Sequence, residues 1–164
     1  MNARSAVALV AVLGLLAGCT SRTGGEAPGP TEEPSSPAME LADMLTEADT
    51  AVETLNTIDA TDVEGSLDEW ESVATGELLR ELRTGRAGHV ETLTEAGASS
   101  EGEVLASAAT EFDDGAAEVL AAMRVVVTQP GAAPTEKKQR IRLGMTMTDD
   151  GWKVDSVETV PYTG

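Results

Sequence analysis

Few side chains in this sequence could do chemistry, and their spacing limits what they could do. Cys19 and His89 are the only thiol and the only imidazole in 164 residues. A single thiol forms no intramolecular disulfide, and one His with one Cys does not complete a zinc tetrad. Asp59, Asp62 and Glu64 lie close together without the spacing of a calcium-binding EF-hand loop, so a solvated helix start accounts for them. No Ser-His-Asp arrangement and no glycine-rich phosphate loop is present. His89, next to Gly88, is read as a helix-surface or capping residue in preference to a general base. Tyr162, the one tyrosine, lies close to the last residue, a poor place for an oxyanion donor. Proton transfer would then fall to a buried carboxylate. The sequence thus predicts no catalytic residue, no metal ligand and no cofactor.

Two basic clusters interrupt an acidic background of 29 Asp and Glu against 11 Lys and Arg, for a net charge of -18. Arg80, Arg83 and Arg86 fall on neighbouring turns of one predicted helix. Lys137, Lys138, Arg140 and Arg142 are assigned to the polar side of one predicted strand. Ion pairing with nearby acids explains both, and is worth less than ~1 kcal/mol per pair at a surface. The functional alternative is a docking patch for an acidic partner. The overall charge repels phosphate backbones, which argues against nucleic acid, and also holds the body off anionic headgroups. Solubility outside the cytoplasm is the simplest reason for it. Trp70, Phe112, Trp152 and Tyr162 are the only aromatic residues. Four such side chains make no broad stacking platform for bases, and the core must come from Leu, Val, Ala, Met and Ile.

The context of Cys19 gives it a different use. Arg4 supplies a short basic n-region, Ser5 to Leu16 is almost wholly apolar, and the run ends in Leu16-Ala17-Gly18-Cys19. An apolar stretch of that length suits a signal-peptide h-region and is too short to span a bilayer as a helix. The four closing residues resemble the bacterial lipobox. That resemblance implies thioether attachment of diacylglycerol to Cys19 and cleavage between Gly18 and Cys19, leaving the chain held by acyl chains such as palmitate on the extracytoplasmic face of the cell membrane. Two acyl chains hold a protein durably where one is marginal. Residues 1–18 are therefore read as signal peptide. Residues 19–38, rich in Pro, Ser, Thr and Gly, are read as a flexible linker with a root-mean-square span of roughly 25 Å.

The remainder, residues 39–164, is read as one α+β domain. Leu41, Met44, Leu45, Ala48, Val52, Leu55 and Ile58 recur at helical spacing and predict a helix over 38–59. Thr61-Asp62 caps a second, shorter helix that brings Leu67, Trp70 and Val73 to one side. A third is expected over 76–93, with Thr75 as N-cap and Leu78, Leu79, Leu82, Val90 and Leu93 facing inward, and with a break near Gly85 and Gly88. After Gly97 the period falls to two. Strands are expected over 103–112 and 117–129, joined by the Asp113-Asp114-Gly115 turn. A third strand carries Ile141, Leu143, Met145 and Met147 on its buried face. Asp149-Asp150-Gly151 turns the chain into a fourth with Trp152 and Val154, and Val157 falls out of phase, implying a bulge near Asp155-Ser156. Helices followed by antiparallel strands predict helices packed on a curved sheet of about four strands.

This order of elements, closing in Gly151-Trp152-Lys153-Val154-Asp155, is similar to the NTF2-like (cystatin-like) cone. Within it the chain resembles the Mce-associated (mammalian cell entry-associated) proteins over about residues 41–161, including the Thr-Gly-Glu-Leu-Leu segment at Thr75 to Leu79. The resemblance implies a non-enzymatic, envelope-anchored accessory protein that assists an Mce-type lipid transporter, with no catalytic residues to carry over. Members of that family usually begin with a transmembrane helix, where this chain carries the lipobox. Two alternatives share the fold: a module holding a small apolar ligand in the cone, and an isomerase or hydratase.

Overall fold

The computed structural model describes residues 36–161. Leu16, Ala17, Gly18 and Cys19, most of the linker assignment and Tyr162 lie outside the described residues. The element order is α1 (Pro37–Leu55), α2 (Val63–Val73), α3 (Gly76–Ala96), then β1 (Ser99–Asp113), β2 (Ala116–Thr128), β3 (Thr135–Thr148) and β4 (Gly151–Val160). The strands form an antiparallel meander in the order β1-β2-β3-β4. The α+β architecture expected of the sequence is the one found.

Helix α1 starts where its sequence directs it. Ser36 accepts the Met39 N–H and Pro37 opens the first turn, a position where a missing N–H costs nothing. The helix therefore begins within the segment read as linker. It buries Met44, Ala48, Ala51 and Val52 against the concave face of the sheet, with Leu41, Leu45 and Leu55 packed around them. The facing side chains are Val119, Ala121 and Met123 of β2, Ile141, Leu143 and Met145 of β3, and Trp152 and Val154 of β4. The seven largest of those under 2% exposed are all Met, Leu or Val. Each contributes on the order of 1.5–3 kcal/mol relative to exposure, which outweighs any surface ion pair described below.

Helix α1 ends at Leu55, four residues before the expected limit, because Ile58 leaves the helix to pair with Ser100 of β1. The crossing there is tight. Glu53 Oε1 accepts the Val104 N–H at 2.8 Å, Thr57 Oγ1 accepts the Gly102 N–H at 3.2 Å, and Gln139 of β3 donates to Asn56 Oδ1 at 3.0 Å. Side chains at the end of α1 thus satisfy N–H groups on the open edge of β1, where no further strand pairs. A Cβ on Gly102 would stand 2.9 Å from the Asn56 Cβ and 3.1 Å from the Glu53 carbonyl.

Three readings need correction. Strand β1 is longer than expected, since residues 99–102 pair with the end of β2, and register shifts between Val104 and Ala106 and between Ala109 and Glu111 reset its alternation and leave Leu105 49% exposed. Met147, assigned to the core, is 46% exposed, because it lies at the end of β3 beyond the cover of α1. Helix α3 runs unbroken through Gly85 and Gly88 and buries none of its five leucine and valine positions. The concave face is already filled by α1, so α3 is left to pack against α2 and β4 at the periphery. The bulge in β4 is found where the phase change put it: Gly144 pairs with Ser156 and Met145 with Val154, leaving Asp155 unpaired.

Gly102→Ala should lower unfolding free energy by about 1–3 kcal/mol through overpacking, measured by urea denaturation; an unchanged midpoint would show that α1 is not seated closely on β1.

Candidate functional site

In a cone of helices on a curved sheet, a ligand or reacting group would sit between the two layers. Here that space holds Met44, Val52, Met123, Leu143 and Met145, packed against one another. Among the described residues, the only polar residue in the buried class is Ser66, which belongs to α2. Its hydroxyl donates to the Asp62 carbonyl and accepts the Asp59 N–H. No titratable residue is in the buried class among the described residues, although one carboxylate oxygen of Asp49 on α1 is buried without a hydrogen-bond partner.

His89 is on the exposed surface of α3, edge-on to Trp70 with ring centroids 6.5 Å apart. Gly85 makes this approach easy, since a Cβ there would lie 3.0 Å from His89 Nε2. Trp70 in turn donates its indole N–H to the Thr57 carbonyl. The acids near the start of α2 work locally. Asp62 caps the helix through the Gly65 N–H, and Asp59 accepts both the hydroxyl and the N–H of Thr61. Those two bonds, the hydroxyl first, hold the Asp59 carboxyl below its ordinary value of 3.8.

The two basic clusters stand on different elements, Arg80, Arg83 and Arg86 on α3 and Lys137, Lys138, Arg140 and Arg142 on β3. Arg83 and Arg86 both reach from α3 to Glu71 of α2, with N···O distances of 3.0 and 2.8 Å. Arg86 also contacts Asp68 at 2.8 Å and the Glu64 carbonyl at 3.1 Å. Arg80 pairs with Glu77 one turn away on its own helix. On the outer face of the sheet, Arg142 bridges Glu118 of β2 and Glu158 of β4, while Lys138 lies 3.8 Å from Glu136. Arg124, not singled out in the sequence, bridges Glu103 and Glu136 across three strands. Arg140 shares this outer face. Lys137 does not: strand alternation puts it on the same side as Gln139 and Ile141, opposite Lys138, Arg140 and Arg142.

An open groove of about 780 Å³ lies at the end of the layers where α1 begins. Phe112, Trp152 and Met147 form its apolar part, the two rings 6.0 Å apart and tilted by 38°. Glu40, Asp43 and Glu47 come from successive turns of α1, and Asp113 and Asp114 from the β1–β2 turn. Two contacts fix the walls. Glu47 Oε2 accepts the Trp152 N–H at 2.7 Å, and Met147 donates its N–H to the Gly115 carbonyl at 2.9 Å. Sequence reasoning missed this groove, because it counted Met147 as core and read Asp113-Asp114-Gly115 only as a turn.

No protein-family model matches the chain, and no curated protein matches its sequence. Solved structures do share its fold. An IcmL-like type IV secretion system protein from Legionella pneumophila aligns with a TM-score of 0.62 at 13% identity, over 79% of this chain and 96% of that one. The periplasmic domain of DotI gives 0.61 at 11% identity, over 80% of this chain and 100% of that one. The beta subunit of a benzoate 1,2-dioxygenase from Burkholderia mallei gives 0.56 at 11% identity, over 73% and 88%. The chain has the NTF2-like α+β fold. That fold serves a secretion system protein and an enzyme subunit alike, so function has to be argued from sites.

The α2–α3 contact makes a pH prediction. Hydrogen bonds from Arg83, then Arg86, hold the Glu71 carboxyl below its ordinary value of 4.5. A depressed folded pKa gives stability that is present above the unfolded value and is lost as pH falls through the folded one. Glu71→Gln should therefore lower the melting temperature at pH 7, with the gap to wild type closing as pH falls below 4.5. A gap that stays constant with pH would contradict the ionic origin.

Proposed function

We propose that this chain is a lipid-anchored accessory protein of the cell envelope, held on the extracytoplasmic face by acyl chains on Cys19, and that its domain binds a protein partner and catalyses no reaction. The observation that carries this reading is the filled interior. Where an NTF2-like enzyme or carrier needs a chamber, this domain has methionine, leucine and valine in contact. The sole histidine is exposed at the periphery, which also speaks against an isomerase or hydratase. The IcmL-like and DotI neighbours lend support, being by description a type IV secretion system protein and a periplasmic domain. An Mce-type lipid transporter is the partner to test first, on the strength of the family resemblance over residues 41–161.

The anchor and the partner are tested together. Cys19→Ala should move the protein from the membrane fraction to the soluble or secreted fraction. Crosslinking followed by pull-down of the anchored form should recover a specific envelope protein. Unchanged membrane retention of the variant would refute the anchor. Recovery of a stoichiometric lipid with no specific protein would replace partner binding by ligand carriage.

A further inference from the structure

The groove at the start of α1 suggests what the partner presents. We propose that it receives a short segment of the partner in which lysine or arginine flanks an apolar side chain, a deepening that rests on the partner-binding reading above. Met147 is a large apolar residue 46% exposed at the end of a strand, beside Phe112 and the mostly buried Trp152. A side chain of leucine or phenylalanine size laid there would cover Met147 and the accessible edge of the Phe112 ring.

Charge complementarity fixes the rest of the segment. Like many other acids of this chain, Asp43, Asp113 and Asp114 form no ion pair with a basic residue among the described residues; what sets them apart is that they line one groove together with Met147, Phe112 and Trp152. Among the described residues, no lysine or arginine lines the groove. An acidic segment would be repelled, and a purely apolar one would leave the carboxylates without counter-charges. A basic side chain beside an apolar one matches both parts and can also lie against an aromatic face. The walls are set beforehand by the Glu47–Trp152 and Met147–Gly115 hydrogen bonds, so docking would order little of the receptor.

The probe is a short labelled peptide of alternating lysine and leucine, titrated by fluorescence anisotropy against the full-length chain in zwitterionic nanodiscs, with empty nanodiscs as blank. The wild type should bind it, with affinity falling as salt rises, and should not bind the matching glutamate–leucine peptide. Replacing Asp43, Asp113 and Asp114 by Asn should weaken binding by about tenfold or more, and Met147→Ser should weaken it with the charges intact. A control replaces Glu81, Glu91 and Glu95 on α3 by Gln, removing the same charge from outside the groove. If both triple variants lose affinity equally, or if neither loses any, the groove is not the site. Circular dichroism of each variant separates loss of binding from loss of fold. Failure here alongside recovery of a specific partner from membranes would sink the groove and leave partner binding standing. Binding here without any recovered partner would do the reverse.

Discussion

Everything in this domain follows from one helix filling the hollow of one sheet. Met44, Ala48, Ala51 and Val52 of α1 lie against Val119, Met123, Leu143, Met145 and Val154. The other helices lie to the side: α3 buries no residue fully, with Leu78 packed at the edge of the core, and α2 buries Val63, Ser66 and Leu67. With four aromatic residues in the chain, the fit relies on flexible methionines and small alanines, which adapt to irregular gaps. The same contact is the ground for the proposed function, since it fills the space between helix and sheet with methionine, leucine and valine.

The electrostatics follow the same division. The interior is apolar, and the ion pairs lie outside it: α3 is held to α2 through Glu71, and Arg124 and Arg142 link strands across the outer face. Such exposed pairs give register and orientation more than stability. In the groove, three aspartates without an ion pair among the described residues stand beside an exposed methionine.

Much of the fold was legible because period and packing agreed. The helical stripe on α1, the two Asp-Asp-Gly turns and the alternation of Ile141, Leu143 and Met145 each name their structure directly. The bulge at Asp155 was visible as a phase error between Val154 and Val157. What escaped were features set by tertiary context. The face of α3 expected to turn inward is only half-buried, with Leu78 alone of it packed against the core, because α1 already covers the sheet. The bulges in β1 hide inside a run of Ala, Ser and Thr with little hydrophobic contrast. Met147 carries the right phase for the core but lies past the helix that would cover it, so alternation alone misplaces it. The basic residues were found, yet the partners of Arg83, Arg86 and Arg142 sit on other elements, Arg142 and Glu118 being on neighbouring strands, beyond any local pattern.

Native-state hydrogen exchange probes the central contact most directly, because it reports the free energy at which each segment opens. If α1 fills the sheet and the two form one core, the amides of Met44 to Val52 should exchange at the same opening free energy as those of Val119 to Met123 and Leu143 to Met145. Exchange of α1 at a distinctly lower free energy, with the sheet still protected, would mean that the helix lifts away to open a chamber, and a packed, ligand-free interior would no longer describe this protein.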